Sequence, residues 1–329
     1  MSRYFLGVDV GSSKTHALIA DEAGQVCGFG EAGAGNHESV GYEGLSAAVR
    51  QATDLALSRA ALTIRDIAGA GFGISGYDWP SERAATMRAI EALGLSAPIE
   101  CVNDALIGLI AGAVDGWGIA VIAGTGCNCW GRDRHHRSAH LTGHGWAMGE
   151  GAGASELVEE AVRRVARYWS RRGPATQLAR AFITITGATD LDDLMEGLCQ
   201  GQYCLGASAA RRIFEVATQG DQVATELIDW AGRELSSMAL GVIAQLGLES
   251  SVFDVVMVGS MFDGGPLLIN PMQAAIRDSA PQAHFVRLTT PPVVGGVLLG
   301  MEQAGDNLAA SRANLIASTQ AFLTQRRVV

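Results

Sequence analysis

The apolar residues at the start of the chain fall into short runs separated by turn signals. Tyr4-Phe5-Leu6-Gly7-Val8-Asp9-Val10, Thr15-His16-Ala17-Leu18-Ile19-Ala20 and Val26-Cys27-Gly28-Phe29 read as three consecutive strands. Gly11-Ser12-Ser13-Lys14 and Asp21-Glu22-Ala23-Gly24 supply the turns between them. The spacing of Leu45, Val49, Leu55 and Leu57 predicts an amphipathic helix over 42–60. Alternation follows, with a strand over 67–74, a helix over 81–93, a strand over 98–102 and a helix over 105–114. A β-β-β-α-β-α-β-α order implies a mixed sheet with helices on both faces.

A second pass opens at 118–123, followed by a glycine turn and a strand around Cys129-Trp130. Helices are predicted over 154–170 and 223–246, with a helix-rich stretch reaching 218 between them. Strands near 255–258 and 284–286 and helices from 293 onward close the chain. The strand–turn–strand opening thus occurs twice. It predicts an α/β protein of two related lobes, 1–117 and 118–305, with a C-terminal helix over 306–329 packing back on the first.

The turns are where the chemistry concentrates. Asp9 ends a buried strand and Gly11, Ser12, Ser13 and Lys14 follow it, so backbone N–H groups and hydroxyls there suit the outer phosphates of a nucleotide. A carboxylate at that strand end is placed to hold Mg²⁺ directly or through water. The competing reading of this stretch is an ordinary hairpin whose Asp caps the turn. Gly124-Thr125-Gly126 repeats the form after an apolar strand, and Gly259-Ser260 does so again, where it suits an adenosine. No Gly-Lys-Ser/Thr loop and no Gly-x-Gly-x-x-Gly after a strand are present, which disfavours the P-loop and Rossmann classes.

Composition narrows the class. At 329 residues, 48% hydrophobic and 18% charged, the chain can bury a sizeable core. A net charge of -10 argues against a nucleic-acid surface and leaves a phosphate ligand open, because backbone N–H groups need no net positive charge. No secretory signal precedes the first strand and no run suits a membrane span, so the six cysteines are expected to be reduced, buried thiols of a cytoplasmic protein.

These segments in this order resemble the sugar kinase/Hsc70/actin ATPase superfamily, and within it the N-acetylglucosamine kinase type of the BadF/BadG/BcrA/BcrD ATPase family. The resemblance rests on the opening turn, Gly35-Asn36-His37, Asn103-Asp104-Ala105, Gly124-Thr125-Gly126-Cys127-Asn128, the segment from Gly145 to Glu150, and Val258-Gly259-Ser260. It implies two ribonuclease H-like, actin-like ATPase lobes with mixed sheets flanked by helices and ATP in the cleft between them. It further implies that Ser13 and Thr125 contact ATP phosphates, and that Ala217 and Ser260 flank the nucleotide. Asn36, His37, Asp104, Cys127, Asn128, His144, Gly145 and Glu150 are the implied sugar contacts. Two departures fall on the sugar side. Gly149-Glu150-Gly151-Ala152-Gly153 stands where the family shows Gly-Asp-Glu-Gly-Ser, and His144 stands where a Trp is common. Cys127 also replaces a Ser.

The resemblance makes Asp104 the expected catalytic base; its spacing alone also fits an N-cap for the helix over 105–114. Asn36 can bind sugar hydroxyls through an amide that donates and accepts, or serve as a turn residue. Glu150 fits a sugar hydroxyl, a cationic amine, or a helix-start carboxylate. His135, His136, His140 and His144 look like a metal cluster but lie among arginines in an expected exposed hairpin. Cys199 and Cys204 read as helical packing. The expected activity is Mg-ATP-dependent 6-phosphorylation of N-acetylglucosamine, with glucosamine as the nearest alternative. A homodimer is expected, with Trp169, Trp230 and Met238 as interface or core residues. An ATP-driven electron-transfer activator needs an iron–sulfur cluster that these scattered cysteines do not suggest. A sugar-sensing regulator needs a DNA-binding extension, for which the first strand at Tyr4 leaves no room.

Overall fold

The computed structural model describes residues 2–326; residue 1 and the last three positions expected in the C-terminal helix, 327–329, lie outside the described residues. The chain divides into two compact units. The first comprises the described residues of Met1–Ala120, Arg134–His136 and Val286–Val329; the second comprises Val121–Asp133 and Arg137–Phe285.

The first unit begins with β1 (Tyr4–Val10), β2 (Thr15–Asp21) and β3 (Val26–Ala32), then α1 (His37–Ala60), β4 (Ile67–Ile74), α2 (Arg83–Glu91), β5 (Ile99–Asn103) and α3 (Asp104–Gly112). Its sheet runs β3-β2-β1-β4-β5. The first three strands pair antiparallel, while β4 joins β1 and β5 joins β4 in parallel. The sheet is therefore mixed, as its element order predicts. Strand alternation sorts β1 between two cores. Leu6, Val8 and Val10 pack with Leu45 and Val49 of α1, whereas Phe5 packs with Ile107 and Ile110 of α3. Asp9 shares the parity of Phe5 and so points to the α3 face at the strand's C-terminal end.

The second unit contains β6 (Gly118–Ala123), which crosses the boundary, β7 (Cys127–Arg132), β8 (Ser138–His140), α4 (Ala154–Trp169), α5 (Leu178–Thr186), α6 (Leu191–Cys199), α7 (Ala210–Thr218), α8 (Gln222–Leu246), β9 (Phe253–Val258), α9 (Pro266–Ser279) and β10 (Ala283–Arg287), whose last two residues belong to the first unit. Its sheet is ordered β10-β9-β6-β7-β8, with β7 and β8 forming an antiparallel hairpin.

The chain then returns to the first unit through α10 (Val293–Gln303) and α11 (Leu308–Arg326). Placing α10 with the second lobe, as the 118–305 division does, is corrected here. The helix lies against β1 and β4 backbone to backbone. A Cβ on Gly7 would stand 2.3 Å from Val297 N, and one on Gly71 would stand 2.3 Å from Gly296 O. Glycine-to-glycine contact of this kind is invisible to a hydrophobic pattern. On the other side of that core, α11 buries Leu315, and Ser318 Oγ donates to Gly24 O at 2.7 Å.

Several other expectations change. Leu55 is exposed, although its neighbours Ala56 and Leu57 are buried. Cys199 and Cys204 are exposed rather than buried, and Cys204 lies past the end of α6, outside any helix. Met238 is core, whereas Trp169 is exposed with its Nε1 donating to Asp192 Oδ1 at 2.5 Å. No helix among the described residues is long and apolar enough to cross a membrane.

Candidate active site

The first unit gathers Asp9, Ser12, Asn36, Ser75, Asp78, Asn103 and Asp104 through strand ends and helix starts. Gly11 N donates to Lys14 O at 2.9 Å, which closes the turn after β1 and leaves Ser12 and Ser13 exposed. The loop before α1 docks on this turn. Gly35 N donates to Gly11 O at 3.1 Å, and Asn36 Nδ2 reaches Ser12 Oγ at 3.4 Å and Ser75 Oγ at 3.5 Å. Asn36 Oδ1 meanwhile accepts from Glu38 N at 2.9 Å, capping α1. Asn36 is thus buried with both ends of its amide in use, and the helix restarts beyond a break at Gly41 (φ 70°). Lys14 is exposed and pairs with Glu31 at 3.4 Å. The His37 ring is packed against Tyr42 at 4.5 Å, with Nε2 3.7 Å from Glu82 and Nδ1 buried without a hydrogen-bond partner.

At the start of α3 the structure separates two candidates for one job. Asn103, not Asp104, is the N-cap: its side chain accepts from Ala105 N at 2.9 Å, while its Nδ2 donates to Asp78 Oδ1 at 2.9 Å. Asp104 is left in the first helical turn. Burial pushes its carboxyl up to about 6, repulsion from Asp78 adds to this, and hydrogen bonds from Ala105 and Ser75 pull it partly back. Asp9 keeps some exposed surface, yet its carboxyl is set deep among protein atoms. It is pushed up to about 7 by burial and then by Asp104. Burial does most to hold the proton on Asp9, and the Asp104 charge adds to it. Ser75 and Asp78 escaped the sequence reading. They follow β4 in Gly73-Ile74-Ser75-Gly76-Tyr77-Asp78, which has the same strand-then-glycine-turn signature as the segments singled out.

The second unit builds its own turn. Gly124 N donates to Gly126 O at 2.9 Å, and α4 begins directly on it, with Ala154 N donating to Gly124 O and Ser155 N to Thr125 O at 2.9 Å. Thr125 stays exposed. The packing leaves no room for side chains: a Cβ on Gly153 would stand 2.4 Å from Gly126 C. Gly259, at φ +107°, would place one 2.3 Å from Ala123 O. Gly259→Ala is therefore expected to destabilise by roughly 2 kcal/mol or more, measurable as a lower denaturant midpoint.

Glu150 is buried and committed. Its carboxylate accepts from Thr142 N at 2.8 Å, Thr142 Oγ1 at 3.0 Å and His144 N at 3.1 Å, and it thereby fixes the loop over 142–144. His144 is exposed, with Nδ1 3.0 Å from Thr142 O, and Gly145 takes φ +62°. Asn128 lies beside this loop, because a Cβ on Gly143 would meet its Nδ2 at 2.5 Å. Cys127 is buried and accepts from Ala152 N at 3.2 Å; burial pushes its thiol up to about 11. Glu156 was also missed. Its Oε2 is buried without a partner, 2.6 Å from where a Gly153 Cβ would stand.

A cavity of about 630 Å³ opens beside these elements in the second unit. Phe214, Glu215 and Thr218 of α7 form one wall, and Ser260, Asp263 and Ala154 contribute to the rest. Ala217, the residue expected there, is buried behind that wall, because Phe214 and Thr218 occupy the helix face that looks outward.

Among the described residues no group of three or more His, Cys, Asp or Glu side chains placed to hold a metal ion forms. His136 instead sits 3.6 Å from Glu302, and His140 stacks on Trp130 at 4.1 Å.

Comparison with known proteins adds four findings. The profile of the BadF/BadG/BcrA/BcrD ATPase family matches residues 6–300. The N-acetyl-D-glucosamine kinase of Dictyostelium discoideum is 25% identical over 90% of this chain and 97% of its own length. The N-acetylmuramic acid/N-acetylglucosamine kinase of Clostridium acetobutylicum is 23% identical over 92% and 99%. Among solved structures, the ROK family glucokinase of Streptomyces griseus in complex with glucose and AMPPNP matches with a TM-score of 0.55. It is 19% identical over 91% of this chain and 99% of that one, a likeness of fold.

Proposed function

Because the chain belongs to the BadF/BadG/BcrA/BcrD ATPase family, we propose that it transfers the γ-phosphoryl group of ATP to an amino sugar, N-acetylglucosamine before others, giving the 6-phosphate. The observation that carries the reading is Asp104, a carboxyl with a raised pKa that the neighbouring Asn103 relieves of helix capping. Curated relatives named as N-acetylglucosamine kinases over nine-tenths of the chain support the acceptor class.

Phosphoryl transfer passes through a loose transition state, so the protein mainly positions and stabilises. Asp104 orients the attacking hydroxyl and takes its proton as the new bond forms. Asn36 holds the Ser12 turn and Ser75 in place around it. The exposed turns at Ser12-Ser13 and Gly124-Thr125-Gly126 offer N–H groups and hydroxyls to phosphate oxygens. The 630 Å³ cavity, with Phe214 as a stacking face, suits the adenosine.

Mg²⁺ fits Asp9. A hard cation that keeps most of its waters needs few protein oxygens, and a carboxyl raised to about 7 by burial, with a neighbouring acid adding to it, gains most from one. When bound, it supplies charge neutralisation on the phosphates. A cytoplasmic homodimer belongs to the proposal as well. Light scattering on the purified chain reads the dimer, and a monomer would remove that part.

The electron-transfer alternative fits the thiols poorly. Burial raises the thiols of Cys27 and Cys127 to about 11, Cys101 to about 12, and Cys129 further, and Cys199 and Cys204 are the exposed pair, lying away from the phosphate turns. Glucosamine loses its main argument too, since the Glu150 carboxylate is already occupied by its own loop.

Three expected outcomes follow from the site. ADP release measured against N-acetylglucosamine, glucosamine and glucose should give the highest kcat/KM with the first; no turnover with any of the three would overturn the proposal. Glu150→Ala should raise the sugar KM about tenfold by freeing Thr142 and His144, with the KM for ATP unchanged, as steady-state kinetics would show. The third concerns pH. The base must be ionised, so kcat/KM for the sugar should fall as pH drops through about 6 and the residual rate of Asp104→Asn should lack that limb.

A further inference from the structure

A second, smaller cavity of about 220 Å³ lies on the helical part of the second unit. It is framed by Arg180 and Thr184 of α5 with Gln177 just before it, and by Arg212 of α7 with Gln219 just after it, with Val216 as apolar floor. The chain carries a net charge of -10, yet this hollow holds two guanidinium groups and two side-chain amides. Arg180 is exposed and makes no ion pair among the described residues. Thr184 Oγ1 donates to Arg180 O at 2.9 Å, which leaves that hydroxyl as an acceptor. The donors are therefore the two arginine forks and the two glutamine amides. That set exceeds what one carboxylate accepts and matches a phosphate, whose oxygens take bidentate arginine contacts.

The acids near the cavity are both engaged. Asp221 is buried and accepts from Gln177 N at 2.7 Å, Thr176 Oγ1 at 3.0 Å and Ala224 N at 2.9 Å. Glu215 is the more informative one. It accepts from Arg212 Nη1 at 2.5 Å and pairs with Arg211 Nε at 3.4 Å. Arg212 faces the small cavity, whereas Arg211 and Glu215 line the large one. One carboxylate on α7 is thus shared between the two hollows.

We propose that the small cavity is a phosphate-monoester site, held by Arg180 and Arg212, whose occupation is relayed to the large cavity through Glu215. A phosphate that recruits Arg212 competes with Glu215 for it. Glu215 then turns fully to Arg211, and the charge lining the large cavity is rearranged. The anion site stands on the cavity's own chemistry; the relay rests on the nucleotide reading given above. The ligand is either free phosphate or a sugar phosphate such as the reaction's product.

The test is calorimetric titration of the full nucleotide-free chain with inorganic phosphate and, separately, with N-acetylglucosamine 6-phosphate. At least one should bind saturably, and Arg180→Ala, an exposed substitution, should weaken it about tenfold through the lost charge-assisted contacts. Equal affinity for both assigns the site to free phosphate; tighter binding of the sugar phosphate assigns it to the product. AMPPNP affinity should shift at least about threefold on adding the bound phosphate compound in the wild type and not in Arg180→Ala. No saturable binding, or binding indifferent to Arg180→Ala, overturns the site. Binding without a nucleotide shift overturns the relay. Absence of sugar phosphorylation would leave the phosphate titration untouched, so failure of the kinase proposal is separately visible.

Discussion

Asp104→Asn should lower kcat for sugar phosphorylation by about 10²- to 10⁴-fold while leaving AMPPNP affinity unchanged. The substitution keeps the shape and the first-turn position on α3 but removes the group that accepts the hydroxyl proton. It should not cost the helix its start, because Asn103 provides the cap through its 2.9 Å bond from Ala105 N. It should also relieve Asp9, whose carboxyl is raised in part by the Asp104 charge. The variant is thus expected to be at least as stable as the wild type near neutral pH. Steady-state kinetics and a denaturant melt on the same preparation check both halves. A variant that loses stability along with activity would mark Asp104 as structural.

The largest stability effect is expected far from any candidate ligand. Gly295→Ala should destabilise the first unit by about 3 kcal/mol or more, because overpacking at a backbone contact cannot be relieved by a rotamer change. Its Cβ would stand about 2.7 Å from Ile107 C and still closer to Ile107 O, with Ala111 N at 3.0 Å. Alpha-helix α10 would have to leave either α3, which carries Asp104, or the β1–β4 floor, which carries Asp9. Activity should therefore fall with stability. Gly206→Ala, where a Cβ meets nothing within 4 Å, is the control and should change stability by less than about 0.5 kcal/mol. Chemical denaturation monitored by circular dichroism reads the difference.

That contrast shows where the sequence was readable. Short apolar runs bounded by turn glycines located the first strands, because a strand buried on both faces reads as a near-continuous apolar stretch; Asp9 stood out as a carboxylate at a strand end, and Asp104 through the family resemblance. The docking of α10 left no such trace. Gly295 and Gly296 are legible as glycines, but the backbones they approach, Ile107 for the first and Gly7 and Gly71 for the second, lie far earlier in the chain.

The candidate site divides in the same way. Thr125 and Ser260 were singled out because their turns follow apolar strands. Ser75 and Asp78 have that signature too and were passed over, since nothing local tells which glycine turn reaches the others. Ala217 falls in the helix-rich stretch expected up to 218, but its neighbours Phe214 and Thr218 face the cavity, a matter of roughly one hundred degrees per residue. Glu150 shows the limit most plainly. A carboxylate in a glycine-rich segment invites a ligand, and only the structure reveals that its oxygens already hold Thr142 and His144.

The central claim is that phosphoryl transfer ends on an amino-sugar hydroxyl rather than on water or on nothing. Proton–phosphorus correlation NMR of the wild-type chain with Mg-ATP and N-acetylglucosamine tests it most directly. The account predicts a new phosphorus signal coupled to the protons on carbon 6 of the sugar, growing in step with ADP. Inorganic phosphate as the sole new phosphorus product beside ADP, or no change in ATP at all, would contradict it.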